Sequence, residues 1–174
     1  MPDLATGAVV FVTGGASGIG RAAAQQFSAE GAAHVVVADL DIDGAGHTVA
    51  TLAGPGSSVE LDVTDDAAVA AAIDDLIAEQ GRIDIAFNNA GVNDAPHAFH
   101  DLDAESWDRM IRVNLSSVFV CMKHELRHMV AAGSGAIVNT SSGAGVLAAP
   151  GLPHYTAAEH GVVGLTKAAA QEYA

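Results

Sequence analysis

A chain of 174 residues, half of them apolar and only 5% aromatic, has room for one domain with a core of Ala, Val, Leu and Ile. Its 21 acidic against 7 basic residues leave a formal net charge of −14. Such a surface repels phosphate backbones and anionic headgroups, so neither nucleic acid nor membrane is expected as a partner. Cys121 is the single cysteine, which excludes an internal disulfide. No basic-then-apolar leader is visible and Gly or polar residues interrupt every apolar run, so a cytoplasmic protein is expected.

Strand and helix patterns alternate along the chain. Residues 8–13 read as a buried strand ending in glycines, and 18–30 as a helix closed by Gly31. A second strand is expected over 34–38, a helix over about 43–52 that ends at Gly54-Pro55-Gly56, and a third strand over 59–62. The acidic turn at Thr64-Asp65-Asp66 suits a helix N-terminus, and that helix runs to about Glu79. A fourth strand follows over 83–88. Residues 103–131 read as one long helix carrying Trp107, Ile111, Leu115, Val118 and Met122, with Trp107 as a core anchor. A fifth strand over 135–140 and a helix from Pro153 complete the chain. This alternation predicts an α/β fold: one Rossmann-type, doubly wound parallel sheet, order 3-2-1-4-5, with helices on both faces and a ligand crevice where the order reverses.

Between the first strand and first helix stands Thr13-Gly14-Gly15-Ala16-Ser17-Gly18-Ile19-Gly20. Glycines at 14, 18 and 20 let the chain turn tightly and approach a diphosphate, and the helix start offers free amides. The pattern is TGxxxGxG, and the same glycines would also serve a plain βα turn. With cationic side chains scarce, backbone amides are expected to hold the phosphates. Asp39 closes the second strand 19 residues after Gly20. A carboxylate there accepts from the adenosine ribose hydroxyls and repels a 2′-phosphate, which favours NAD over NADP; the nearest basic residue is Arg21 in the first helix.

Joined to this loop are Asn88-Asn89-Ala90-Gly91 after the fourth strand, then Asn114, Ser142 and Tyr155, the last two 13 positions apart. Together these resemble the classical short-chain dehydrogenase/reductase (SDR) family over nearly the whole chain. The resemblance implies NAD(H)-linked oxidoreduction of a small alcohol or ketone. It implies a cofactor cleft lined by Gly14, Ser17, Gly18, Ile19, Gly20, Asp39, Asp62, Val63, Asn89, Ala90 and Gly91, with Asp62 and Val63 bordering adenine. For Asn88 and Asn89, strand-end turn chemistry is an equal reading. By the same resemblance Asn114 anchors a water in a proton relay, Ser142 hydrogen-bonds the substrate oxygen with Ser141 as its structural neighbour, and Tyr155 exchanges a proton with that oxygen.

One position departs from the family. Its Tyr-x-x-x-Lys reads Tyr155-Thr156-Ala157-Ala158-Glu159 here. A cation one helical turn from Tyr favours phenolate and holds the nicotinamide ribose; Glu159 has the opposite sign. Lys167 lies roughly 18 Å along the helix from Tyr155, and neither Lys123 nor His160 is placed to substitute. Severely reduced turnover is expected, and a non-catalytic NAD-binding module is the alternative. The family's members are also longer, so residues 1–174 read as a dinucleotide-binding domain without the usual C-terminal substrate-binding part and with an open edge on its fifth strand. The resemblance implies a homodimer or homotetramer through the two long helices, where Val162, Val163, Leu165 and Ala169 serve either as interface or as core. His124 and His128 share a helix face, but no third ligand is indicated, so no metal is expected.

Overall fold

Short β-branched runs that send alternate side chains to two helical layers build the sheet. The computed structural model describes residues 4–173. Strands β1 (Val9–Thr13), β2 (His34–Asp39), β3 (Gly56–Glu60), β4 (Ile85–Asn88) and β5 (Ala136–Asn139) are parallel, in the order β3-β2-β1-β4-β5. The helices are α1 (Gly18–Ala29), α2 (Ile42–Val49), α3 (Asp66–Gln80), α4 (Ala104–Ile111), α5 (Ser117–Ala132) and α6 (Pro153–Tyr173). The strand order is the one expected, and it reverses between β1 and β4, where the carboxyl ends open a crevice.

Period-two alternation splits the core. Val9, Phe11, Val36, Ala38 and Ala86 face α3 and α5, meeting Val69, Ile73, Leu76, Cys121 and Met129. Val10, Val12, Val35, Val37 and Phe87 face the other way, toward Ala24 of α1 and Ala45 of α2. Cys121 is one of the packed core groups, its thiol pushed up in pKa by burial and then by Glu125. Asp65 caps α3 by accepting from the Ala67 and Ala68 amides, and Gly81 ends it in the left-handed region.

Three expectations need correction. The third strand lies at Gly56–Glu60, because as an edge strand its place is set by pairing with β2, Val35 opposite Gly56, and its side chains are at best half-buried. The long helix is broken by a π turn at Arg112–Ser116, between α4 and α5. Trp107 is 39% exposed; Met110, three residues on, is the fully buried side chain of α4. Val162 belongs to the core, packed on Val118 and Met122 of α5. His124 and His128 each meet an α3 carboxylate, Asp66 at 2.8 Å and Asp74 at 2.9 Å, so their shared face serves helix-to-helix pairing. Among the described residues no helix is long and apolar enough to cross a membrane.

Candidate active site

The glycine turn packs against the top of β1 so tightly that a side chain is excluded at Gly14 and Gly20. Gly14 has φ +66°, and a Cβ there would stand 2.8 Å from the Ala90 Cα. At Gly20 a Cβ would run into the Gly14 carbonyl oxygen. Ser17 begins α1 in extended backbone and its side chain makes no capping bond, so the first-turn amides lack a side-chain partner. That is the donor set an anion requires. Arg21 turns away: its Nε donates to Thr48 Oγ1 at 3.1 Å and its guanidinium reaches the Ala16 carbonyl.

Asp39 is held by the backbone on both oxygens. Oδ2 accepts from the Ala16 amide at 2.9 Å and Oδ1 from the Asp41 amide at 3.0 Å, which pins the carboxylate to the turn it faces. Asp62 Oδ1 accepts from the Thr64 amide and hydroxyl at 2.9 and 2.8 Å. Where β4 ends, successive side chains take opposite sides. Asn88 is buried beneath the sheet, while Asn89 is stitched to β1, the turn and the residue that follows β5: its amide donates to Thr13 Oγ1 at 3.0 Å, its Nδ2 to the Gly14 carbonyl at 3.3 Å, and its Oδ1 accepts from Thr140 Oγ1 at 3.1 Å.

These pieces enclose one cleft of about 760 Å³. Gly14, Ser17, Gly18, Ile19, Asp39, Asp62, Val63, Asn89, Ala90 and Gly91 all line it; Gly20 lies behind the turn. Arg109 and Arg112 line it too. Sequence reasoning missed both, and only the helical phase of α4 into the π turn signals them. Two of the chain's few cations therefore stand at one wall of the cleft.

Ile19, Asn89, Ala90, Gly91 and Val92 also border a second cavity of about 250 Å³, which gathers Asn114, Thr140, Ser141, Tyr155 and Glu159. Asn114 sits in the π turn and spends its amide on the backbone of one residue: Oδ1 accepts from the Val92 N–H at 2.9 Å and Nδ2 donates to the Val92 carbonyl at 2.8 Å. Glu159 is 5% exposed, and its Oε1 stands a long 3.5 Å from Asn114 Nδ2. Among the described residues no Lys, Arg or His pairs with it. Lys123 is engaged by Asp66 at 2.6 Å, and His160 by the Thr156 carbonyl at 2.9 Å.

The serines divide their work. Ser141 lines the cavity with Tyr155 and donates to the Glu159 carbonyl at 3.2 Å. Ser142 caps the 3₁₀ turn Gly143–Gly145 by accepting from the Ala144 amide at 3.2 Å, one residue along. Beside Tyr155, fully buried His154 meets Asp94 at 3.2 Å, and the His97 amide donates to the Gly151 carbonyl at 2.8 Å. The His154 bond, ahead of the Ala95 amide, holds the Asp94 carboxyl below its ordinary range. This clamp ties the segment after β4 to the start of α6.

Comparison with known proteins gives the same outline. A profile of the short chain dehydrogenase family matches residues 8–174. The chain is 44% identical over 169 residues to the cis-4-hydroxycyclohexanecarboxylate dehydrogenase of Sinomonas cyclohexanicum, covering 95% of this chain and 67% of that protein. To the cyclohexanol dehydrogenase of Acinetobacter sp. (strain SE19) it is 39% identical with the same coverages. The crystal structure of carveol dehydrogenase from Mycobacterium avium in complex with NAD superposes with a TM-score of 0.92 at 32% identity, over 99% of this chain and 67% of that one. The chain thus spans about two thirds of the length of these relatives.

Proposed function

The chain belongs to the short-chain dehydrogenase family, and on that premise we propose that it binds NAD(H) in the larger cleft and is an oxidoreductase for a small alcohol or ketone, its turnover held down by Glu159. The cleft suits the cofactor by its own features: a turn with no space for a side chain at Gly14 or Gly20, uncapped helix amides, and an Asp39 carboxylate fixed at the wall. The negative charge at Asp39 supports NAD over NADP. Gly14, Ser17, Gly18 and Ile19 would hold the diphosphate, Asp39 the adenosine ribose, and Asp62 and Val63 the adenine side. When bound, the nicotinamide supplies or takes up hydride.

The remaining steps fall to side chains of the smaller cavity. Tyr155 exchanges a proton with the substrate oxygen, and a serine hydroxyl of the Ser141-Ser142 pair orients that oxygen. Asn114 holds the Val92 segment that forms the cavity wall. Glu159 carries the proposal of low turnover: a buried carboxylate stands one turn from Tyr155, where a cation would ease loss of the phenolic proton. The same observation favours the second reading, an NAD-binding module with little chemistry.

Turnover with NAD on a panel of ring alcohols, suggested by the names of the two relatives, tests this in the parent and in Glu159→Lys. The variant is expected to exceed the parent by about 10²-fold or more, in the range of a general acid–base contribution. A parent as fast as the variant refutes the impairment; a chain that takes up no NAD refutes the cofactor reading. A homodimer or homotetramer through the α5 and α6 faces, where Phe119 and Val130 are exposed, belongs to the same proposal and is checked by sedimentation.

A further inference from the structure

Beneath the sheet a buried polar row runs from α5 to the end of β4. Asn88 Nδ2 donates to Glu125 Oε2 at 2.9 Å and to Asn139 Oδ1 at 3.0 Å, and Asn139 donates onward to Thr166 Oγ1 at 2.9 Å. Glu125 is fully buried. Two buried oxygens of this row, Glu125 Oε1 and Asn88 Oδ1, have no hydrogen-bond partner among the described residues. They belong to the two side chains that are already joined.

An ionised carboxylate here would have a single donor for two oxygens in a site without water access, and Asn88 Oδ1 would face nothing able to donate. One proton resolves both deficits. Placed on Oε1, it supplies the donor that Asn88 Oδ1 lacks, while Asn88 Nδ2 keeps its bond to Oε2. We infer that Glu125 is a protonated carboxylic acid that clasps the Asn88 carboxamide in both directions and so positions the strand end from which Asn89 enters the cleft. It is a positioning residue, acting through Asn88; only its effect on the cleft rests on the cofactor reading.

The surroundings agree. Burial pushes Glu125 up to about 7, against the opposing bond from Asn88. No counter-charge faces it. On its own helix Cys121 is one turn back and uncharged. From α3, Asp66 and Asp74 are engaged at the exposed rim by Lys123, His124 and His128. α6 meets α5 with Val162, Leu165 and Ala169, while β4 and β5 carry no ionisable side chain. Asn89 in turn holds the Gly14 carbonyl, so a shift at Asn88 reaches the glycine turn within two residues.

Carbon-13 labelling of the glutamate carboxyls in the unaltered chain decides the protonation. One carboxyl is expected to titrate near pH 7, to vanish from the spectrum in Glu125→Gln and to persist in Glu159→Gln, which removes the other buried glutamate. If every carboxyl titrates in the ordinary range of about 4 to 5, the inference is overturned. Glu125→Gln reproduces the two-way pair without a proton and should keep the parent's stability near pH 6, whereas Glu125→Leu orphans Asn88 and should lose it; equal losses in both would also overturn it. NAD affinity is expected to weaken several-fold above pH 7 in the parent and to stay flat in Glu125→Gln. A flat parent affinity overturns the positioning role. A chain that binds no NAD at any pH counts against the cofactor reading alone, and the carboxyl titration still decides the proton.

Discussion

Single residues in this cleft are constrained by space and by charge, and the two constraints respond differently to substitution. Gly14 is constrained by space. Gly14→Ala would need a left-handed alanine with its Cβ 2.8 Å from backbone, so a stability loss of roughly 1–3 kcal/mol is expected in thermal unfolding, together with loss of NAD binding in calorimetry. Asp39 is constrained by charge. Asp39→Ser keeps an acceptor near the Ala16 amide but removes the negative charge, so the ratio of NADP to NAD affinity should rise by about tenfold or more. An unchanged ratio would show that the carboxylate does not select the cofactor. The turn and the carboxylate could be read from the sequence because each residue's role is local to one βα unit. The Ser141–Ser142 pair could not be resolved that way, because one residue of phase ahead of the 3₁₀ turn decides which serine lines the cavity with Tyr155.

Among the elements, legibility followed burial. The central strands β1, β2 and β4 are buried apolar runs and announce themselves. Edge strand β3 opens on glycine and two serines, and its register comes from β2, which no local pattern encodes. The N-terminal cap of α3 is visible in Asp65. What lay beyond local reading were partnerships made in space. Asn88 and Glu125 are 37 residues apart, His124 and Asp66 58, and Asn114 and Val92 22. Arg109 and Arg112 reach the cleft only because the π turn fixes the phase of that helix.

For the whole molecule, titration pulls stability from both sides. Asp66 is held below its ordinary value first by the Lys123 hydrogen bond and then by His124, Asp94 first by His154, and Asp103 by the Ser106 amide. Carboxylates depressed in the folded state stabilise above their unfolded values near 4, and that contribution disappears as the pH falls through the lower folded values. Glu125 runs the other way. Raised from 4.5 to about 7, it leaves stability whole below about 4.5 and withdraws on the order of 3 kcal/mol as the pH climbs through 7. Self-repulsion from a net charge of −14 also eases on acidification. Melting temperature is therefore expected to peak near pH 5 and fall toward pH 8, and Glu125→Gln to flatten that alkaline limb. A peak above pH 7 would contradict it.

The π turn also has a meaning for length. A ring closed over five residues carries one more residue than its neighbours need, so the helical axis could be continued through this stretch with a shorter chain. Excising the exposed Ser116 should yield an uninterrupted rod of the same pitch that keeps its ultraviolet circular dichroism and melts within a few degrees of the parent. The casualty would be the Asn114 clasp on Val92. Helicity would thus survive while ligand uptake failed, which would mark the surplus residue as kept for the pocket and dispensable to the scaffold.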